Sequence, residues 1–358
     1  MDSKRNTDLP VSKSIGYWLL IGAFLVLMMI MLGGYTRLSH SGLSMVTWKP
    51  VTGFIPPLNQ ENWIAEFEAY KTSPEYKLRN YNFSLEEFKE IYWPEFLHRL
   101  LGRITGIVFI IPFLYFLIRN KLRNPKLKRH LIIIFLLGVL QGFVGWYMVK
   151  SGLVDQPAVS HYRLAIHLCL ALILYGYLFL VALKILTTEN ENQSHISDHV
   201  KLKSVLSITL VVVILQIIYG AFVAGLKAGL FYPTFPKMGP LWIPHTVTDS
   251  IEQEGIMSFF NSPYVVQFVH RWLGILVLLF AGYLFFKSRK TILSDSIRKS
   301  IALILLLTLT QVLLGVLTLI NLVPVSLGVL HQLCAVLLLT SVLYTIFLTR
   351  RSPASSAN

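Results

Sequence analysis

Apolar residues run in long uninterrupted blocks along this chain, and polar residues gather between them. Residues 14–36, 131–149, 164–183 and 204–226 carry no Asp, Glu, Lys or Arg, and 300–349 is one uncharged stretch of fifty residues. A helix rises ~1.5 Å per residue and needs ~20 residues to cross a bilayer core. The blocks therefore predict eight spans, at about 15–37, 95–118, 130–149, 159–183, 203–226, 263–286, 299–320 and 325–348, the last two parted at Asn321-Leu-Val-Pro324. The expected fold is an all-α polytopic membrane protein. Between the first two spans lies a long segment, 38–94, in which Ser84-Leu-Glu-Glu87 forms a capping box ahead of a short helix leading to Trp93. Trp63, Phe67 and Tyr70 fall at i, i+4 and i+7, one apolar helix face able to lie on the membrane or close over a site. The polar stretch 186–200 reads as a flexible linker between two halves.

Composition supports the membrane assignment. Only 14% of the 358 residues are charged, against roughly 25% in soluble domains. The net charge of +14 reflects topology, because 19 of the 32 Lys and Arg fall in 1–15, 119–130, 184–203, 287–299 and 350–358, alternating with poorly basic segments. That is the positive-inside pattern, with both termini cytoplasmic, and it removes nucleic acid as a partner. Trp18, Trp93, Trp146 and Trp272 fall near span ends, where interfacial aromatics gather. Cys169 and Cys334 lie inside apolar runs, so no disulfide framework is expected. The start, Met-Asp-Ser-Lys-Arg, resembles neither a cleavable signal nor a transit peptide, which points to a bacterial inner membrane.

The chain repeats itself. Glu95-Phe-Leu-His98-Arg99-Leu-Leu-Gly102 matches Gln267-Phe-Val-His270-Arg271-Trp-Leu-Gly274 at five of eight positions. Gln141-x-x-x-Gly145 matches Gln311-x-x-x-Gly315, and His167 and His331 share downstream Ala and Leu offsets. Gly42-Leu43 and Gly229-Leu230 open similar outer loops. The matches predict a duplicated four-helix unit, with residues 1–190 as an N-terminal bundle carrying the long loop and 191–358 as a C-terminal bundle.

Ten histidines occur. His40, His130, His195, His199 and His245 lie in loops or beside basic runs and read as solvated. His98, His167, His270 and His331 lie within spans, at one common depth near the outer surface, where an ionisable residue is costly and by default functional. An interhelical hydrogen bond would explain any one of them. Four, two per repeat and on alternate helices, suit a pair of six-coordinate hemes, each slotted between helices. Zinc would bring Cys or carboxylate ligands or tighter His spacing, and His161, six residues before His167, cannot share a metal with it. Arg99 and Arg271, each directly after a ligand His, either pair with heme propionates or snorkel to headgroups. Gly102, Gly138, Gly145, Gly220, Gly274 and Gly315 are expected to permit close helix approach. Glu95 follows Pro94, which suits an ordinary helix start, yet it lies three residues before His98 on the same face. Its counterpart, Gln267, cannot ionise, so Glu95 is the candidate catalytic carboxylate.

Arg37-Leu-Ser-His-Ser-Gly-Leu-Ser-Met45 with Trp48-Lys49-Pro50, Glu95-x-x-His98-Arg99, His167, His270-Arg271 and His331-Gln332 together resemble the heme A synthase family, in its mitochondrial and related bacterial branch. Other bacterial members carry a cysteine pair in the first outer loop; this chain has none there. The resemblance implies two pseudo-symmetric bundles. It places heme B as cofactor between His270 and His331, and the substrate, heme O, between His98 and His167. It implies oxidation of a ring methyl to a formyl group by successive hydroxylations, with oxygen from water, to give heme A for cytochrome oxidase. The farnesyltransferase that makes heme O is the expected partner; the electron acceptor is unspecified and homo-oligomerisation is left open. A diheme cytochrome b-like electron carrier or quinol oxidoreductase is the alternative, but it would need ligands at both membrane depths. A repeat-built transporter would use inverted halves and midplane sites.

Overall fold

The computed structural model describes residues 12–48, 53–122, 124–151, 159–187 and 199–351. In chain order the helices are α1 Lys13–Leu38, α2 Gln60–Lys71, α3 Pro74–Leu78, α4 Leu85–Ile118, α5 Pro125–Ser151, α6 His161–Leu186, α7 His199–Gly225, α8 His245–Glu254, α9 Ser258–Asn261, α10 Pro263–Lys290, α11 Asp295–Ile320 and α12 Val325–Arg351. Eight of them, α1, α4, α5, α6, α7, α10, α11 and α12, are long and apolar enough to cross a bilayer. This is a multi-pass α-helical membrane protein. Each sequence block became one span, and most helices continue several residues beyond the apolar run. The linker 186–200 falls mostly outside the described residues.

Neighbouring spans pack in a regular order. Helix α1 lies against α4 and α6, and α5 lies against α6 and, more thinly, α4. In the second half α7 packs on α10, α10 on α11, α11 on α12, and α12 returns to α7. The halves meet where α6 touches α7, α1 touches α12, and α6 touches α12. The shared core is aliphatic, with Leu19, Ala182, Leu206, Leu284, Ile301 and Val342 fully enclosed. Large apolar side chains such as Ile111, Leu279, Phe286 and Leu306 face outward. That is the arrangement lipid requires of spans whose backbone groups are satisfied internally.

Two expectations are corrected in the second span. The short helix ending at Trp93 and the span starting at residue 95 are one helix, α4, that runs through Pro94 and Pro112. The capping box is present at its start, where Ser84 accepts from the Glu87 amide and the Glu87 carboxylate accepts from the Ser84 amide. Glu95 is therefore an interior residue, and the helix-start explanation for it falls away. A proline removes the N–H that would bond the carbonyl four residues earlier. For Pro112 that carbonyl is Val108, and the indole N–H of Trp18 takes it at 2.8 Å. Trp18 is therefore buried against Phe109 and Phe116, and the interfacial role expected from its position is replaced by satisfaction of a proline-freed carbonyl.

The long loop folds back over the start of α4. Asn59 caps α2, accepting from the Asn62 amide at 2.9 Å. The aromatic face of α2 meets Phe88, which is 0% exposed and touches Trp63, Phe67 and Tyr70. Tyr92 and Phe96 continue this stack toward Glu95. So the apolar face of α2 is used against α4 and not against lipid.

Candidate functional site

On α1, α5, α7 and α11, which run toward the long-loop end, a glycine lies five or six residues before the last helical residue. These are Gly33 before Leu38, Gly145 before Ser151, Gly220 before Gly225 and Gly315 before Ile320. On three of the returning spans a histidine lies six or seven residues from the start: His167 after His161, His270 after Pro263 and His331 after Val325. His98 holds the corresponding place on the longer α4. All four histidines thus come to one depth, at the long-loop end.

Each ring rests on one of those glycines. A Cβ added at Gly33 would lie 3.1 Å from His98 Cε1, and one at Gly220 would lie 3.2 Å from His270 Cε1. At Gly145 and Gly315 it would lie 2.9 Å from Cε1 of His167 and His331. His98 and His167 come from α4 and α6 in the first half, and His270 and His331 from α10 and α12 in the second, one couple to each half. The expectation that these glycines serve helix approach is therefore corrected for Gly145, Gly220 and Gly315: they seat imidazoles. Gly138 has nothing within 4 Å.

A glutamine one turn before the glycine reaches the ring. Gln141, Gln216 and Gln311 place Nε2 3.5, 3.4 and 3.2 Å from Nε2 of His167, His270 and His331. On α1 the equivalent residue is Met29, so His98 lacks this amide neighbour. Sequence reasoning found Gln141-x-x-x-Gly145 and Gln311-x-x-x-Gly315 but missed Gln216-x-x-x-Gly220 and the Met29-x-x-x-Gly33 variant. The same spacing was present in α7 to be found.

The residues beside the histidines bind the loops. Glu95, 3% exposed, accepts from Ser44 Oγ at 2.7 Å and the Met45 amide at 2.9 Å through Oε2, and from Arg99 Nη2 at 2.5 Å through Oε1. Arg99 also donates to the carbonyls of Met45 and Thr47 at 2.9 and 3.0 Å and lies over the Trp48 ring. In the second half Arg271 donates to the carbonyls of Tyr232 and Thr234, both at 2.6 Å. Gln267 Nε2 donates to the same Tyr232 carbonyl at 3.1 Å. Both arginines thus clamp the loop that follows the first span of their half.

Other histidines take local roles. His130, expected to be solvated, has its Nδ1 2.7 Å from the Tyr177 hydroxyl, since the α5 start packs on α6. His161 packs against Gly225 and Phe222, away from His167. His40 and His245 are exposed, while His195 and the His199 side chain lie outside the described residues.

No three His, Cys, Asp or Glu side chains converge on a metal position among the described residues. Two imidazoles per half suit a metal whose remaining ligands come from its own macrocycle. The buried Nδ1 atoms of all four histidines, and Oε1 of Gln141, Gln216 and Gln311, have no partner. Buried imidazoles with unpartnered nitrogens, two to each half, fit an iron held in its own flat ring.

A family model of cytochrome oxidase assembly proteins, COX15-CtaA, matches residues 16–343. The chain belongs to this family. It is similar to the heme A synthase of Wolbachia pipientis wMel, 41% identical over 344 residues that span 96% of this chain and 95% of that protein. It is also similar to the heme A synthases of Flavobacterium psychrophilum, 43% identical with 94% and 98% covered, and of Nitrosospira multiformis, 42% identical with 96% of each covered. Membership agrees with the resemblance carried by 37–50 and the four histidine motifs.

Proposed function

We propose that this chain catalyses the heme A synthase reaction, oxidising a ring methyl of heme O to a formyl group. Family membership and the similarity to heme A synthases over nearly the full length support the activity. The observation that carries the site assignment is the fourfold histidine-on-glycine seat, His98 and His167 in the first half and His270 and His331 in the second.

We assign residues 1–190 to a substrate-binding four-helix unit and 191–358 to a cofactor-binding one. Substrate heme O lies between His98 and His167, and heme B between His270 and His331. When bound, heme B supplies an iron centre able to exchange electrons. The chain's own groups do the rest. The histidines orient the rings, and the glycines let them lie flat against the helices. Arg99 and Arg271 hold the covering loops, and the buried Nε of Arg271 has no partner, so it remains a donor for a propionate. Glu95, three residues before His98, is the catalytic carboxylate that positions water or stabilises charge developing at the reacting methyl. The positive-inside pattern supports a bacterial inner membrane location with both termini cytoplasmic. Heme O synthase is the proposed donor of substrate.

The test is pigment extraction from the full-length protein produced with a heme O supply. Heme A and its hydroxylated precursor beside heme B support the reading, and Glu95→Gln is expected to keep bound heme while losing the formyl product. Heme B alone, with unchanged heme O in every preparation, overturns it.

A further inference from the structure

Two residues of the motifs that mark the sites, Arg37 and Gln332, take no part in the mechanism above. Gln332 follows His331 directly on α12, in the second half, yet its amide reaches the first half. Nε2 donates to the Ile30 carbonyl of α1 at 2.7 Å. The side chain lies on Gly34, where an added Cβ would overlap Oε1 and stand 2.9 Å from Cδ and 3.1 Å from Nε2. The amide passes because Gly34 has no side chain. Its neighbour Gly33 is the seat of His98. One glycine pair on α1 thus receives the substrate-site histidine from its own half, and from the other half the residue after the cofactor-site histidine.

Arg37 adds a second grip. It donates through Nη2 to the Ala224 and Gly225 carbonyls at the end of α7, both at 3.3 Å. The second half therefore holds α1 three residues before Gly33 and four residues after it, about one turn to either side. His98 has particular need of such support. The other three histidines each have a glutamine amide near the ring, and His98 has Met29 at that place. The repeat also shows that the tie is specific to one position. Of the four residues that follow the span histidines, Arg99 and Arg271 bind loops of their own half. Leu168 packs on an apolar cluster that includes Ala221, the residue after the Gly220 seat. Gln332 crosses to the other half with a hydrogen bond.

We propose that Gln332 is a positioning residue for the substrate site. It ties the helix turn that carries His331 to the glycine seat of His98, so that the second half sets the orientation of the imidazole beside the substrate ring. The proposal deepens the function given above and rests on its placing of heme O between His98 and His167. The path is short and continuous. It runs from His331 to Gln332 along the chain, across one hydrogen bond to α1, and from Gly34 to Gly33 and the His98 ring. A close-packed interior transmits strain, so a displaced α12 turn displaces the seat. Coupling of this kind is reciprocal, and occupancy of either site is felt at the other.

Two variants approach the contact from opposite sides. Gln332→Leu removes the donor and keeps the bulk, and Gly34→Ala displaces the amide with the overlapping Cβ. The readout is the low-spin electron paramagnetic resonance of full-length protein loaded with heme B and heme O. In it the N-terminal signal is the one that His98→Ala abolishes. We expect both variants to shift that signal and to weaken heme O binding about 5-fold, with heme B content unchanged. Such a loss is about 1 kcal/mol at ~1.4 kcal/mol per tenfold, the usual worth of one hydrogen bond. Variants whose His98-dependent signal and heme O affinity match the wild type overturn the proposal, and so does a change confined to the heme B signal. Variants that shift as expected, in a protein that never converts heme O, support the tie and overturn the proposed reaction. A wild-type protein without any His98-dependent signal overturns the placing of the substrate, and this proposal with it.

Discussion

Replacing Gly315 with alanine tests the seat under the cofactor-site histidine. The new Cβ would lie 2.9 Å from His331 Cε1, where ordinary contact begins at 3.4 Å, so ring or helix must yield by at least 0.5 Å. Overpacking of this kind costs about 1–3 kcal/mol. The helix itself gains up to about 1 kcal/mol from losing a glycine, so global stability changes little. The penalty falls on the orientation of the ligand ring. At about 1.4 kcal/mol per tenfold, heme retention should weaken by roughly 5- to 150-fold. The control is Gly282→Ala on α10, where nothing lies within 4 Å of the added atom. Heme absorbance per protein, followed as heme is competed away, separates the two variants. Gly145→Ala should behave like Gly315→Ala at the substrate site. Gly33 and Gly220, with 3.1 and 3.2 Å, should tolerate alanine better. A Gly315→Ala protein with wild-type heme content and spectrum would refute the seat.

His270→Ala and His331→Ala should each remove the heme B spectrum, whereas His98→Ala and His167→Ala should leave it and impair heme O conversion, read by absorbance and extracted pigment. Phe88→Ala empties the centre of the loop's aromatic cluster at a cost of about 3–5 kcal/mol. Limited proteolysis should then cut the 60–80 segment faster, with the C-terminal heme spared. Glu75 should make the loop less stable as pH rises. Its folded value of about 7 exceeds the ordinary 4.5, so the folded state binds the extra proton between these values, and stability is lost across that window. The full effect is about 3 kcal/mol at ~1.36 kcal/mol per unit, and Glu75→Gln should flatten the dependence of loop proteolysis on pH between 5 and 8.

The spans were legible because a bilayer forces apolar blocks of fixed length, and the four histidines because spans otherwise exclude such residues. What escaped was set by neighbours. Pro94 looks like a boundary in one dimension, yet α4 passes through it, because a single lost N–H does not end a helix whose flanking turns are packed. Trp18 looks like an interfacial anchor until Val108 offers its freed carbonyl. The glycine seats were half visible: the Gln-x-x-x-Gly spacing stands in α5, α7 and α11. In α1 it was disguised, since Met29 stands where the other three have glutamine. The Glu75 environment was invisible, because α3 is five residues long and packs on α2 through Tyr70 and Phe67.

The difference between Glu95 and Gln267 has two readings, and the loops help to separate them. Both residues lie three before a buried span histidine and four before a clamping arginine. In the first half the loop offers donors, the Ser44 hydroxyl and the Met45 amide, so an acceptor must stand opposite. In the second half the loop offers the Tyr232 carbonyl, so a donor must stand there, and the glutamine amide supplies it. Loop polarity alone thus accounts for why one position presents an acceptor and the other a donor. It does not account for the charge. A glutamine at 95 would still accept from the loop through its oxygen, but it would leave Arg99 facing an amide and would remove the negative potential felt at Tyr70 and Glu75. Glu95 is held by three donors in one orientation, which suits a fixed negative charge better than a base that must turn and accept. The second half, with Gln267 donating to the Tyr232 carbonyl at the matching position, has no carboxylate there to take that part.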